Sequence, residues 1–68
     1  MRINISYLIN KMDKKGINQR QLAEGAGIRD YTVSRIVNGK INPHISTVGK
    51  IAAFLGCEVS DLCAEVTQ

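Results

Sequence analysis

Apolar residues recur at helical spacing in every segment of this 68-residue chain longer than a few residues, and glycine closes most of those segments. Ile5, Leu8, Ile9 and Met12 fall at i, i+3, i+4 and i+7, the stripe of one helix face. This first helix is expected to run to about Lys15. There Gly16 can take the left-handed conformation that ends a helix, and Lys14 and Lys15 meet its negative end. A second helix is expected to start at Asn18, whose side chain can cap it while Gln21 reaches back to complete a capping box. Leu22, Ala23 and Ala26 form its apolar side, and Gly25-Ala26-Gly27 is expected to break it.

A third helix, about Asp30 to Val37, turns Val33, Ile36 and Val37 inward and stops at Asn38-Gly39. Asn42-Pro43 imposes extended backbone ahead of a fourth. Ile45, Val48, Ile51, Ala52 and Leu55 keep the helical spacing to Gly56. Gly49 weakens that run by roughly 1 kcal/mol relative to Ala. Ser60 is expected to cap a short fifth helix carrying Leu62, Cys63 and Val66. No strand alternation, repeat, low-complexity segment or linker is visible, so the expectation is all-α: five short helices in one compact domain spanning residues 1–68.

So short a chain buries a small share of its surface and leans on tidy helix packing or on a partner chain, which makes self-association an expectation of size alone. Hydrophobic content is 44% with one Phe, two Tyr and no Trp, so the core must be aliphatic and a folded rather than a disordered chain is expected. No stretch reaches the roughly 18 apolar residues of a membrane span, and MRINISYLIN carries no signal-peptide pattern. The chain is expected in the cytoplasm. Cys57 and Cys63, six residues apart and far from His44, have no zinc spacing. They read as reduced, small apolar side chains, with a redox or intermolecular disulfide role as the alternative. No metal site, cofactor or small-molecule ligand is indicated, and no phosphate-cradling glycine loop or Cys–His pair suggests an enzyme.

Charge is lopsided. All nine Lys and Arg lie in residues 1–50, which carry +6, whereas residues 51–68 carry −3 through Glu58, Asp61 and Glu65. Such polarity can turn the basic part toward a polyanion.

Two short helices joined by a glycine-containing turn are the ingredients of a helix-turn-helix, here about residues 18–38. Ala23 lies where the helices cross, and a larger side chain would hold them apart. Gly27, four residues on, occupies the turn position where positive φ is expected. Ile28, Val33 and Ile36 plug the angle between the helices, and Leu22 reaches the first helix.

With these residues in register, the chain resembles the phage-repressor-like (XRE/Cro) helix-turn-helix family over nearly its whole length. The resemblance includes Asn18-Gln19, Leu22-Ala23, Gly27-Ile28, Thr32-Val33-Ser34-Arg35-Ile36 and Asn38-Gly39-Lys40. It continues through Asn42-Pro43, Thr47-Val48, Lys50-Ile51-Ala52 and Leu55-Gly56. It implies a compact five-helix, lambda-repressor-like all-α domain of bacterial or phage origin, nucleoid-associated and usually homodimeric, that binds double-stranded operator DNA with the third helix in the major groove.

A recognition helix presents its N-terminal residues and one outward face to base edges. Asp30, Tyr31, Ser34 and Arg35 share the side opposite Val33, Ile36 and Val37, which makes them the candidate base readers. Arg35 could bond guanine O6 and N7, a contact worth roughly 1–3 kcal/mol of discrimination. Tyr31 could touch a thymine methyl or bond a phosphate. The family usually has Ser or Thr at the position of Arg29. Asp30 is therefore either the cap or first-turn stabiliser of this helix, or a reader of cytosine N4, and Arg29 is free for a phosphate. By resemblance Gln19, helped by Asn18, holds the sugar-phosphate backbone, and Thr32, Asn38 and Lys40 grip it around the third helix. His44 is either a further phosphate contact or a surface residue at the start of the fourth helix.

Val37 and Met12 are apolar where many relatives carry a buried ion pair, a change that can be neutral or stabilising. Relatives often pair through the surface around the fifth helix, where Val59, Leu62, Cys63 and Val66 are the candidate dimer interface. The alternative is that these residues close the monomer's core. The leading reading is a transcriptional regulator, most simply a repressor, of a near-palindromic operator. The competing one is an antitoxin-like protein-interaction module with DNA binding secondary. Sixty-eight residues leave no room for a separate effector domain, so any signal is expected to act through a partner, the thiols or protein concentration.

Overall fold

The structure, a computed structural model, describes residues 2–63, and Val66 lies outside that range. Its helices are α1 (Ile5–Lys15), α2 (Gln19–Ala26), α3 (Asp30–Val37), α4 (Ile45–Leu55) and α5 (Val59–Leu62), with no strand among the described residues. The Cα radius of gyration of 10.7 Å is close to the ~11 Å of a compact chain of this length.

The helix starts follow local chemistry. Asn4 accepts the Tyr7 amide at the head of α1. At α2 the capping box is complete: Asn18 Oδ1 accepts the Gln21 amide at 2.8 Å and Gln21 Oε1 accepts the Asn18 amide at 2.9 Å. The α3 N-cap is Arg29, with no side-chain bond to the helix, so Asp30 is not the cap and sits instead in the first turn. Nor does Ser60 cap α5. That place belongs to Glu58, whose amide donates to the Asp61 carboxylate at 3.2 Å, and α5 begins two residues earlier than the Ser60 signal implied.

The helix ends use one device repeatedly, and two instances position the candidate site. Gly27 at φ 74° ends α2, and the Ile28 amide turns back to the Ala23 carbonyl at 2.9 Å. This seats Ile28 half-buried against the core. Gly39 at φ 71° does the same after α3, where the Lys40 amide reaches the Arg35 carbonyl at 2.8 Å. A left-handed residue followed by this six-to-one bond satisfies carbonyls the helix would otherwise leave bare.

Leu8, Leu22, Val33, Ile36, Val48, Ile51, Leu55 and Leu62 are the fully buried side chains, with Met12, Ala23, Ala26 and Ala52 filling between them. Each of α1 to α5 therefore contributes to one aliphatic core, α2 packing on α3 and α4 while α1 packs on α3 and α5. Met12 is buried and Val37 lies against the same core, so the apolar pair stands without a buried charge among the described residues.

Three departures from periodicity are physical. Ile9 is 42% and Ile45 62% exposed, while the buried residues of these helices are Leu8 and Met12 on α1 and Val48, Ile51, Ala52 and Leu55 on α4. Gly25 stays helical, and the α2 break falls at Gly27 alone. Finally, the Asn4 amide donates to the Leu62 carbonyl at 2.7 Å beside an antiparallel Ile3–Cys63 bridge, which ties the start of the chain to the end of α5. So short a pairing leaves no alternation in the sequence.

Candidate nucleic-acid interface

Ala23 is 2% exposed, which lets α2 and α3 cross closely, and the Gly27 turn sends α3 away at an angle. Val33 and Ile36 are buried beneath α3. The opposite side of the same helix must then face solvent. Asp30 and Tyr31 are exposed, Tyr31 at 64%, and Ser34 and Arg35 are partly so.

Asp30, Tyr31 and Ser34 line an open groove of about 420 Å³ together with Gln19 and Arg20 from the first turn of α2. The fold thus joins three of the four candidate readers to one candidate phosphate anchor. Arg20 was missed by sequence reasoning, although its position beside Gln19 at the exposed start of α2 is a signal. Its Nε lies 3.6 Å from Glu24, but both side chains are largely exposed. A surface pair one helical turn apart contributes little, so a phosphate can recruit Arg20 from it.

Arg35 adjoins the groove through Tyr31. Its Nη1 donates to the Tyr31 hydroxyl at 3.2 Å, and its guanidinium carbon lies 5.4 Å from the ring centroid.

The remaining candidates lie around this core of the site. Asn18 is exposed, its oxygen committed to the cap and its amide nitrogen left as the donor. Arg29 is exposed at the head of α3, and Thr32 is half-buried one turn in. At the far end, Asn38 Nδ2 donates to the Ser34 carbonyl at 2.9 Å and to Ser34 Oγ at 3.4 Å, so it closes α3. Lys40 is exposed just beyond. His44 is the exposed N-cap of α4 and makes no side-chain cap bond.

Leu62 is fully buried in the monomer and is withdrawn from the candidate dimer surface: it is a core residue. Val59 and Cys63 are half-buried against the core, and Val66 is outside the described residues. Both thiols are free. Burial raises the Cys57 thiol above its ordinary 9.0, with Asp61 and Glu58 adding to the rise and Lys11 opposing it. Tyr7, beside Asp61 and Cys57, is likewise raised above 10.0, first by burial. Among the described residues no group of side chains could hold a metal ion, and no helix is long and apolar enough to cross a membrane.

The helix-turn-helix family HTH_3 matches residues 8–62 of this chain. An uncharacterized HTH-type transcriptional regulator of Haemophilus influenzae is 36% identical over 56 residues, covering 82% of this chain and 57% of that protein. One of Rickettsia conorii is 33% identical over 66 residues, covering 91% and 61%. The chain therefore spans somewhat under two thirds of the length of these relatives. An HTH_3 family transcriptional regulator from Vibrio cholerae superposes over 84% of this chain and 32% of its own, with a TM-score of 0.76 at 26% identity. PhpD with cadmium atoms shares the fold over the whole chain and 15% of its own, with a TM-score of 0.82 at 24% identity.

Proposed function

Because the chain belongs to the HTH_3 helix-turn-helix family, we propose that it binds double-stranded DNA as a homodimeric transcriptional regulator and represses from a near-palindromic operator. α3 enters the major groove with Asp30, Tyr31, Ser34 and Arg35 toward base edges. Gln19, Asn18 and Arg20 hold one phosphate strand, and Arg29, Thr32, Asn38 and Lys40 hold the backbone around α3. The observation that carries this reading is the groove in which Asp30, Tyr31 and Ser34 meet Gln19 and Arg20: base-facing and phosphate-facing side chains share one surface. Asp30 in the first turn stabilises α3 through the helix dipole and can also accept from cytosine N4.

Two copies would set their recognition helices roughly 34 Å apart, one DNA turn. Val59 and Cys63 are the described residues left for that contact. This reading involves no cofactor and no catalytic step, and it puts the protein in the cytoplasm, at the nucleoid.

Salt titration of binding to a random-sequence duplex tests it. If several phosphates are neutralised, log K falls with log salt at about 0.9 per phosphate. A flat response would support the protein-interaction reading instead.

A further inference from the structure

We infer that Tyr31 is a positioning residue for Arg35, and that the two read one guanine together rather than two bases separately. The inference rests on the reading of α3 as the recognition helix and deepens it.

Tyr31 and Arg35 stand one turn apart on the solvent side of α3, the spacing at which helix side chains meet. Two contacts join them: Arg35 Nη1 donates to the Tyr31 hydroxyl at 3.2 Å, and the guanidinium carbon is 5.4 Å from the ring centroid. That distance is within the range of cation–π attraction.

An unpartnered arginine on a helix surface samples many rotamers, and ordering them reduces the affinity of any contact it makes. Here the phenol removes part of that freedom before DNA arrives. It also selects which donors remain. With Nη1 engaged, the edge formed by Nε and Nη2 is intact, and its two parallel N–H groups match guanine O6 and N7. Its oxygen accepts from Arg35, so Tyr31 acts on base reading through its neighbour, while its hydroxyl hydrogen is still free to donate.

The test uses duplexes selected from a random pool by the wild-type protein. Affinities for a selected duplex, for its single G·C to A·T replacements and for a random-sequence duplex are compared across Tyr31→Phe, Tyr31→Ala, Arg35→Ala and the Tyr31→Ala/Arg35→Ala double variant. At one base pair per half-site, Tyr31→Phe is expected to lower discrimination about three- to tenfold, the worth of one hydrogen bond. The melting temperature should not change, and binding to the random duplex should fall by less than the discrimination does. Arg35→Ala should abolish discrimination there, and adding Tyr31→Ala should then change nothing further.

Equal discrimination by wild type and Tyr31→Phe would overturn the inference. So would a Tyr31→Ala effect that persists without Arg35, or one as large on random DNA. Failure of the pool to enrich any sequence would overturn the underlying base-reading role as well, and is distinguishable because wild type itself then shows no preference.

Discussion

Phe54 of α4 lies directly on the backbone of Gly25 in α2: a β-carbon at position 25 would stand 2.1 Å from Phe54 Cε1 and 2.3 Å from Cζ. The glycine is helical, so its role is space for the ring rather than an unusual dihedral. This contact is part of how α4 supports the helix that carries Gln19 and Arg20.

Gly25→Ala should therefore expel the ring, and the lost packing should exceed the roughly 1 kcal/mol that Ala gains over Gly in a helix. A net loss of about 1 kcal/mol is expected, or about 4–8 °C in melting temperature for a domain of this size. In a Phe54→Ala background the same change should reverse sign and stabilise by about 1 kcal/mol. A Gly25→Ala effect of equal size and sign in both backgrounds would show that the two residues are not coupled.

Asn18 has two roles to separate by atom. Its oxygen caps α2, and in the proposed complex its amide nitrogen donates to a phosphate. Asn18→Asp should keep the cap and hold stability within about 0.5 kcal/mol, since Asp caps as well as Asn and suits the helix dipole. It should nevertheless weaken binding to every duplex by placing a carboxylate beside a phosphate. Asn18→Ala should lower stability by about 1 kcal/mol. Thermal melts and anisotropy titrations on one set of samples separate the two roles.

In the proposed complex Arg35 reads a base and Lys40 anchors the backbone. Arg35→Ala should relax preference at one or two base pairs by about 1–3 kcal/mol, whereas Lys40→Ala should weaken all sequences alike and lower the salt slope by about one. An equal loss on every sequence for Arg35→Ala would remove it from the readers.

Alkaline pH should destabilise the fold. Cys57 and Tyr7 both have folded-state values raised above 9.0 and 10.0, each chiefly by burial. Between the unfolded and folded values the native state holds more protons than the unfolded chain, so stability is full below 9.0 and falls as pH rises through the elevated values. Melting temperature measured across this range should decline, and Cys57→Ser, which cannot ionise, should postpone the decline. A wild-type curve that rises with pH would contradict the assignment.

Much of the architecture is local in origin and could be read residue by residue. The bounds of α3 follow from Asp30 at its head and Asn38-Gly39 at its end, and those of α2 from the Asn18–Gln21 box and Gly27, because each signal is a contact between residues a few positions apart. The outward set on α3 was legible for the same reason: a helix that buries Val33 and Ile36 must turn Tyr31 and Arg35 toward water.

What lay beyond the sequence depends on residues distant along the chain. Gly25 reads as a breaker until Phe54, 29 positions away, is seen to need its surface. Leu62 reads equally as a dimer contact or a core residue until α1 and α4 are seen to pack α5 into the core. Arg20 reads as an ordinary surface charge until α2 is set against α3 and their first turns share a groove. Backbone hydrogen bonds and caps act over a turn of helix and leave periodic marks in the chain. Close packing acts between surfaces brought together only by folding, and it alone decides which exposed side chains become neighbours.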